Sequence, residues 1–164
     1  MEQAVVTAVT HDDSDAKITV VGVPDRPGVA ARLFRSLADR DVNVDMVVQN
    51  VSEHGATDIS FTVPHDVLDD ALEVCRIHAP ELGAESVVAD PDIAKVSIVG
   101  AGMKSHPGVT ATMFEVLAAG DINIEMISTS AIRLTCVVRS DRAEDAVVLL
   151  HDAFVLEKPV PATS

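Results

Sequence analysis

Apolar residues recur along this chain in two rhythms, every second position and every third to fourth. The rhythms alternate in the same order twice. Residues 4–9 alternate weakly and predict a short strand, followed by the turn-like HDDSD. Residues 17–23 predict a strand. Residues 27–40 then switch to helical spacing, with Val29, Leu33, Phe34 and Leu37 on one face. VNVDMVVQNV reads as a second strand with Val42, Val44, Met46 and Val48 on one side, and Glu53-His54-Gly55 as a hairpin turn. Residues 58–63 alternate through Ile59, Phe61 and Val63, and Pro64 ends that run. A helix over 67–78, with Leu68, Ala71, Leu72 and Cys75 inward, and a short strand over 86–89 complete a β-α-β-β-α-β order.

Asp90-Pro91-Asp92 punctuates the chain and the pattern restarts: a strand over 93–99, a helix over 107–119, a hairpin of 122–128 with 132–138, and a helix over 143–154. From Pro27–Met46 to Pro107–Met126 the copies align without a gap, and ten of the twenty positions are identical, so this is an internal repeat. The second copy has no fourth strand, because VLEKPVPATS carries two prolines and little alternation. The strand over 4–9 is spare. We therefore expect that strand to complete the second copy's sheet, which makes the first copy an insertion within the second. The expected fold class is α+β, two ferredoxin-like units with antiparallel four-stranded sheets and helices on one face. The units would span 17–90, and 91–156 plus the N-terminal strand 3–10, with 157–164 a flexible tail.

Composition narrows the function. The net charge is −14, Lys and Arg nowhere cluster, and four Phe are the only aromatic residues. Nucleic-acid binding needs clustered cations and, for single strands, stacking platforms, so it is not expected. No apolar run approaches the ~20 residues that span a bilayer. The N-terminus lacks the basic start of a signal peptide. The expectation is a soluble cytoplasmic protein without membrane association. Cys75 and Cys136 sit inside apolar patterns and read as buried thiols. The six His are scattered, which gives no metal site, and no nucleophile–base constellation indicates a catalytic residue or a cofactor.

The candidate chemistry lies at the two strand–helix junctions, GVPDRPG (22–28) and GAGMKSHPG (100–108). Pro is suited to a first helical turn, so the first helix is expected to open at Pro27–Gly28. Gly28 admits a close approach, and helix amides facing the loop suit a carboxylate. GAGMKS lacks the third glycine of a dinucleotide loop, and the next strand returns as a hairpin. Asp25 and Arg26 read either as solvated loop charges or as ligand contacts, and the matching Lys104-Ser105-His106 favours contact. Asn43 and Asn123, and Gln49-Asn50 with Thr129-Ser130, occupy equivalent strand ends, where they either close turns or hold an amino acid's polar groups.

Two such units resemble a pair of ACT domains, small-molecule sensors of amino-acid metabolism. VVGVPDRPGVAARLFRSLADRDVNVDMVVQNVS, TDISFTVP, KVSIVGAGMKSHPGVTATMFEVLAAGDINIEMISTS and AIRLTCVV further resemble the regulatory region of bacterial aspartate kinase. The kinase's catalytic domain has no counterpart in this sequence, so the resemblance is to a separate regulatory (β) subunit or to a fragment, not to an enzyme in itself. It implies binding of threonine, lysine or both, and allosteric feedback inhibition of the ATP-dependent phosphorylation of aspartate by a catalytic subunit. It also implies a homodimer joined through the ACT domains. By position the first effector site would use Asp25, Arg26, Pro27, Gly28, Val29 and Ala30 with Gln49 and Asn50. The second would use Met103, Lys104, Ser105, His106, Pro107, Gly108, Val109 and Thr110 with Asn123, and with Ser130 and Ala131 in the hairpin. Ala131 stands where the family usually has a glutamate, in STSEIRIS, so a feedback-insensitive subunit is an alternative, as is a sensor attached to a different enzyme.

Overall fold

Strand pairing divides the chain in two. The computed structural model describes residues 5–50, 54–102 and 106–154. In the inserted unit, Ser14–Pro91, the strands are β2 (Asp15–Pro24), β3 (Val47–Gln49), β4 (Ala56–Pro64) and β5 (Ser86–Asp90), and the helices are α1 (Val29–Asp39) and α2 (Leu68–Leu82). Its sheet has the order β3-β4-β2-β5. The other unit takes the residues up to Asp13 and those from Asp92 onward. There β1 (Val5–Asp12) joins β6 (Ile93–Ala101), β7 (Met126–Thr129) and β8 (Arg133–Arg139) in the order β1-β6-β8-β7, with α3 (Pro107–Ala119) and α4 (Ala143–Ala153). Both orders are the same arrangement, because the spare N-terminal strand fills the place that β5 fills in the insert. β1 runs antiparallel to β6 from Val5 opposite Ala101 to Asp12 opposite Lys95. Within the insert Lys17 lies opposite Asp90, so its two ends emerge side by side, which is what an insertion requires.

Alternation then sorts the faces. In the insert, Ile18, Val20, Ile59 and Phe61 are buried in one cluster with Leu33 and Leu37 of α1 and Ala71, Val74 and Cys75 of α2, so both helices cover the same face of the sheet. Phe34 meets Phe61 edge to face, ring centroids 5.3 Å apart at 74°, a geometry worth about 1 kcal/mol beyond burial. In the other unit Val96, Ile98, Leu134 and Cys136 pack with Met113 and Leu117 of α3 and with Ala146 and Leu150 of α4. On the opposite sheet face a hydroxyl pair recurs in the same register, Thr19 with Ser60 at 2.8 Å and Ser97 with Thr135 at 2.7 Å. Burial pushes both thiols up to about 12, so each cysteine is a neutral apolar filler.

Three expectations need correction. The second strand of each unit is shorter than its alternation suggests: the regular ladder holds only Val47–Gln49 and Met126–Thr129, with isolated main-chain bonds just before it from Asp45 N–H to Thr62 O and from Glu125 N–H to Val137 O. The cause is the preceding helix end, where Asp41 (φ 63°) and Asp121 (φ 59°) take the left-handed conformation. Val42 N–H then returns to Leu37 O at 3.0 Å, and Ile122 N–H to Leu117 O at 2.9 Å. This is the six-to-one helix closure usually made with glycine. It delivers Val42 and Ile122 to the core but delays the ladder. Next, α2 continues through Pro80 to Leu82, because buried Ala79 and Leu82 hold a last turn that proline alone would break. Finally, α1 opens at Val29 rather than at Pro27, as described below. Residues 3, 4, 155, 156 and the proposed tail 157–164 lie outside the described residues.

A chain starting at Ser14 should test the pairing. It removes half-buried Val6 and Val9, together worth about 2 kcal/mol, and bares the edge of β6. Hydrogen exchange should show protection lost in β6 and β8 but kept in β2 and β4. Unchanged protection in β6 would contradict this topology.

Candidate ligand-binding site

At the first junction, β2 ends at Pro24 and Arg26-Pro27-Gly28-Val29 forms a turn with Val29 N–H directed at Arg26 O (3.5 Å). Gly28 has φ 92° and ψ −14°, the values of the third residue in a type II turn with proline second. The expected helical Pro27–Gly28 is therefore a tight turn that caps α1 from outside. Gly28 O accepts the first intrahelical bond, from Arg32 N–H at 3.0 Å. The amides of Ala30 and Ala31 precede it in the first turn, where helix geometry leaves donors without an intrahelical acceptor. Asp25, Arg26, Pro27 and Gly28 are exposed, Ala30 is half-buried and Val29 is anchored in the core. Open donors at the positive end of a helix, beside an exposed cation and an exposed carboxylate, fit a zwitterion.

Gln49 ends β3 and Asn50 follows it, two strands across from the loop, about 10 Å at the usual strand spacing. The start of β4 links the two segments. Asp25 N–H donates to Gly55 O (3.0 Å), Asn50 N–H donates to Asp58 O (3.3 Å), and the Thr57 hydroxyl donates to Asn50 O. The structure thus gathers the first set of candidates at one end of one sheet. Sequence reasoning missed Gly55, Thr57 and Asp58 as its scaffold, and also the bulge at Gly22. A lone glycine inside a strand pattern is the signal that could have found the bulge.

The second junction is built differently. α3 does begin at Pro107, with His106 as its cap and Gly108 inside the helix. His106 Nδ1–H donates to Gly102 O at 2.7 Å. Val109 is buried, while Pro107, Gly108 and Thr110 are exposed. Ser130 and Ala131 are exposed at the β7–β8 turn, which is tied to the end of β6 by Gly100 N–H donating to Ile132 O (2.9 Å). Met103, Lys104 and Ser105 lie outside the described residues. Asn123 is not brought to this loop. It follows the opposite end of α3, about 20 Å away for 13 residues, on a groove of about 480 Å³ lined also by Phe114, Asp121 and Ile124. Among the described residues no three His, Cys, Asp or Glu side chains gather as metal ligands, and no helix is long and apolar enough to cross a membrane.

This fold, with its repeated strand–helix junctions, corresponds to a known domain family. Residues 18–78 and 96–154 match the ACT domain, and the chain belongs to that family. Within the family its likeness is to the regulatory region of aspartokinase. The regulatory subunit of aspartate kinase from Thermus thermophilus, solved ligand-free, superposes with a TM-score of 0.87 at 43% identity, over 91% of this chain and 98% of that one. The aspartokinase of Mycobacterium tuberculosis is 52% identical over 99% of this chain, and that of Corynebacterium glutamicum 48% identical over 95%. The chain spans about two-fifths of the length of these curated relatives, 39% and 38%.

The two repeat-equivalent glycines should respond oppositely to alanine. Gly28→Ala places a side chain at φ 92° and should cost about 1 kcal/mol. Gly108→Ala fills open space in a helix and should stabilise by up to about 1 kcal/mol. Denaturant melts of the two variants check this. Equal shifts would contradict the turn geometry.

Proposed function

We propose that this chain is the effector-binding regulatory part of an aspartate kinase, a non-catalytic subunit that binds threonine, lysine or both. Occupancy would inhibit the ATP-dependent phosphorylation of aspartate by a cytoplasmic catalytic subunit. The observation that carries this reading is the type II turn at Arg26–Val29, which presents α1's first-turn amides to solvent on an aspartokinase-type tandem ACT fold. The carboxylate of threonine would take the amides of Ala30 and Ala31, since charge-assisted bonds are the stronger ones. Asp25 or Gln49 would take the ammonium and hydroxyl end. The second site would use Met103 to Thr110 with Ser130 and Ala131. Asn123, at the far end of α3, would contribute to a site only together with groups from another chain, in the homodimer through the ACT domains that this reading includes. Each four-stranded sheet also has open edges, whose unpaired main-chain groups can recruit a strand from another chain.

Calorimetry with threonine and lysine, separately and together, tests the reading. Threonine is expected to bind, and Ala30→Val, which narrows the half-buried start of α1, should weaken it at least about tenfold, or 1.4 kcal/mol. An unchanged affinity with an unchanged melting temperature would place the site elsewhere.

Ala131 supports a second reading, a subunit insensitive to lysine. It is exposed at the β7–β8 turn and has no charge to offer an ammonium. Ala131→Glu should create or strengthen a calorimetric response to lysine while leaving threonine binding unaltered.

A further inference from the structure

We infer that Asp58 is a positioning residue for the first effector loop, holding it in register through the main-chain amide of Gly22. This deepens the threonine reading and rests on it. β2 and β4 pair regularly as far as Val20 opposite Ile59, and resume with Val23 opposite Thr57. Val21 and Gly22 therefore share one partner, Asp58, in a bulge. Gly22 has φ 69°, a left-handed conformation that favours glycine, and a side chain there would also have to push aside the exposed Glu85 side chain, whose Cγ lies 2.6 Å from the Cβ position. Its N–H is bonded to a side chain rather than to the ladder: it donates to Asp58 Oδ1 at 3.0 Å. The main-chain carbonyl of Asp58 meanwhile accepts from Asn50 N–H. One residue thus ties the root of the 24–28 loop to the end of β3, the two segments assigned to the ligand.

The internal repeat supplies a control. In the other unit β6 and β8 pair without a shift from Ile93–Arg139 to Val99–Arg133. The equivalent amide, Gly100, donates to the main-chain carbonyl of Ile132. The residue matching Asp58 is Arg133, which has no side-chain acceptor. The carboxylate pin belongs to the inserted unit alone among the described residues. Its release would free the strand beyond Val20 to slip by one residue, about 3.3 Å. Such a slip also turns Val23 out of the core. Either change displaces the Ala30 and Ala31 amides from a bound carboxylate.

The test uses the whole chain. Asp58→Ala should weaken threonine binding at least about tenfold by calorimetry and speed exchange of the Asp25 and Val29 amides. Asp58→Asn keeps an Oδ1 acceptor and should stay within about threefold of the parent. If alanine costs too much stability, Asp58→Glu moves the carboxylate by one methylene and should show the same two effects in smaller measure. Unchanged affinity and exchange in the variants, or a loss in Asp58→Asn equal to that in Asp58→Ala, overturns the assignment. If the parent binds neither threonine nor lysine, the functional reading fails instead, and exchange at Asp25 and Val29 still decides whether Asp58 holds the loop.

Discussion

Both halves of this protein depend on one constraint: the strand leading into each candidate loop, β2 or β6, needs an antiparallel partner on its outer side. β2 and β6 are central strands whose main-chain groups must be satisfied on both edges. In the insert, β5 closes the outer edge of β2 from within the same stretch of chain. In the other unit the closing strand is β1, some eighty residues away in sequence. That long-range pairing makes one domain an insertion in the other. The two outer pairings, β5 on β2 and β1 on β6, also hold the register that places Ile18, Val20, Val96 and Ile98 under their helices.

On this shared frame the two copies retain their helix endings and diverge at their helix beginnings. Asp41 and Asp121 make the same left-handed closure, and the following Val42 and Ile122 are buried in both units. Pro27-Gly28 and Pro107-Gly108 have identical sequences but different conformations, a type II turn in one and the first helical turn in the other. Proline's fixed φ fits both states, and glycine is free to follow either. The choice therefore falls to the loop before them, which is two residues shorter in the insert and is held by Gly55 and Asp58. The two candidate sites accordingly present different sets of donors. A carboxylate bound at one would not be bound in the same way at the other.

Much of the architecture was legible from periodicity, because burial on one face imposes alternation on strands and helical spacing on helices wherever the core is single-sided. The repeat, the eight strands and four helices, the placement of the candidate loops at strand–helix junctions and the spare N-terminal strand all follow from that local record. Residues 42–46 show its limit. They keep the alternation, with Val42 and Met46 buried, yet they form no regular strand and meet β4 only through the bonds of Asp45 and Met46 to Thr62, since side-chain pattern reports burial and not a continuous ladder.

Periodicity along the chain was enough to sort most inward-facing positions and to show that one strand–helix junction recurs twice on an ACT-type unit. Only the folded chain shows that Gly28 is left-handed and Gly108 helical, that α2 runs through Pro80, and that Asp58 rather than the ladder takes the Gly22 amide. The physical reason is common to all three. Each is set by a partner distant in the chain, a packing neighbour or a hydrogen-bond acceptor whose proximity exists only after the sheet has formed.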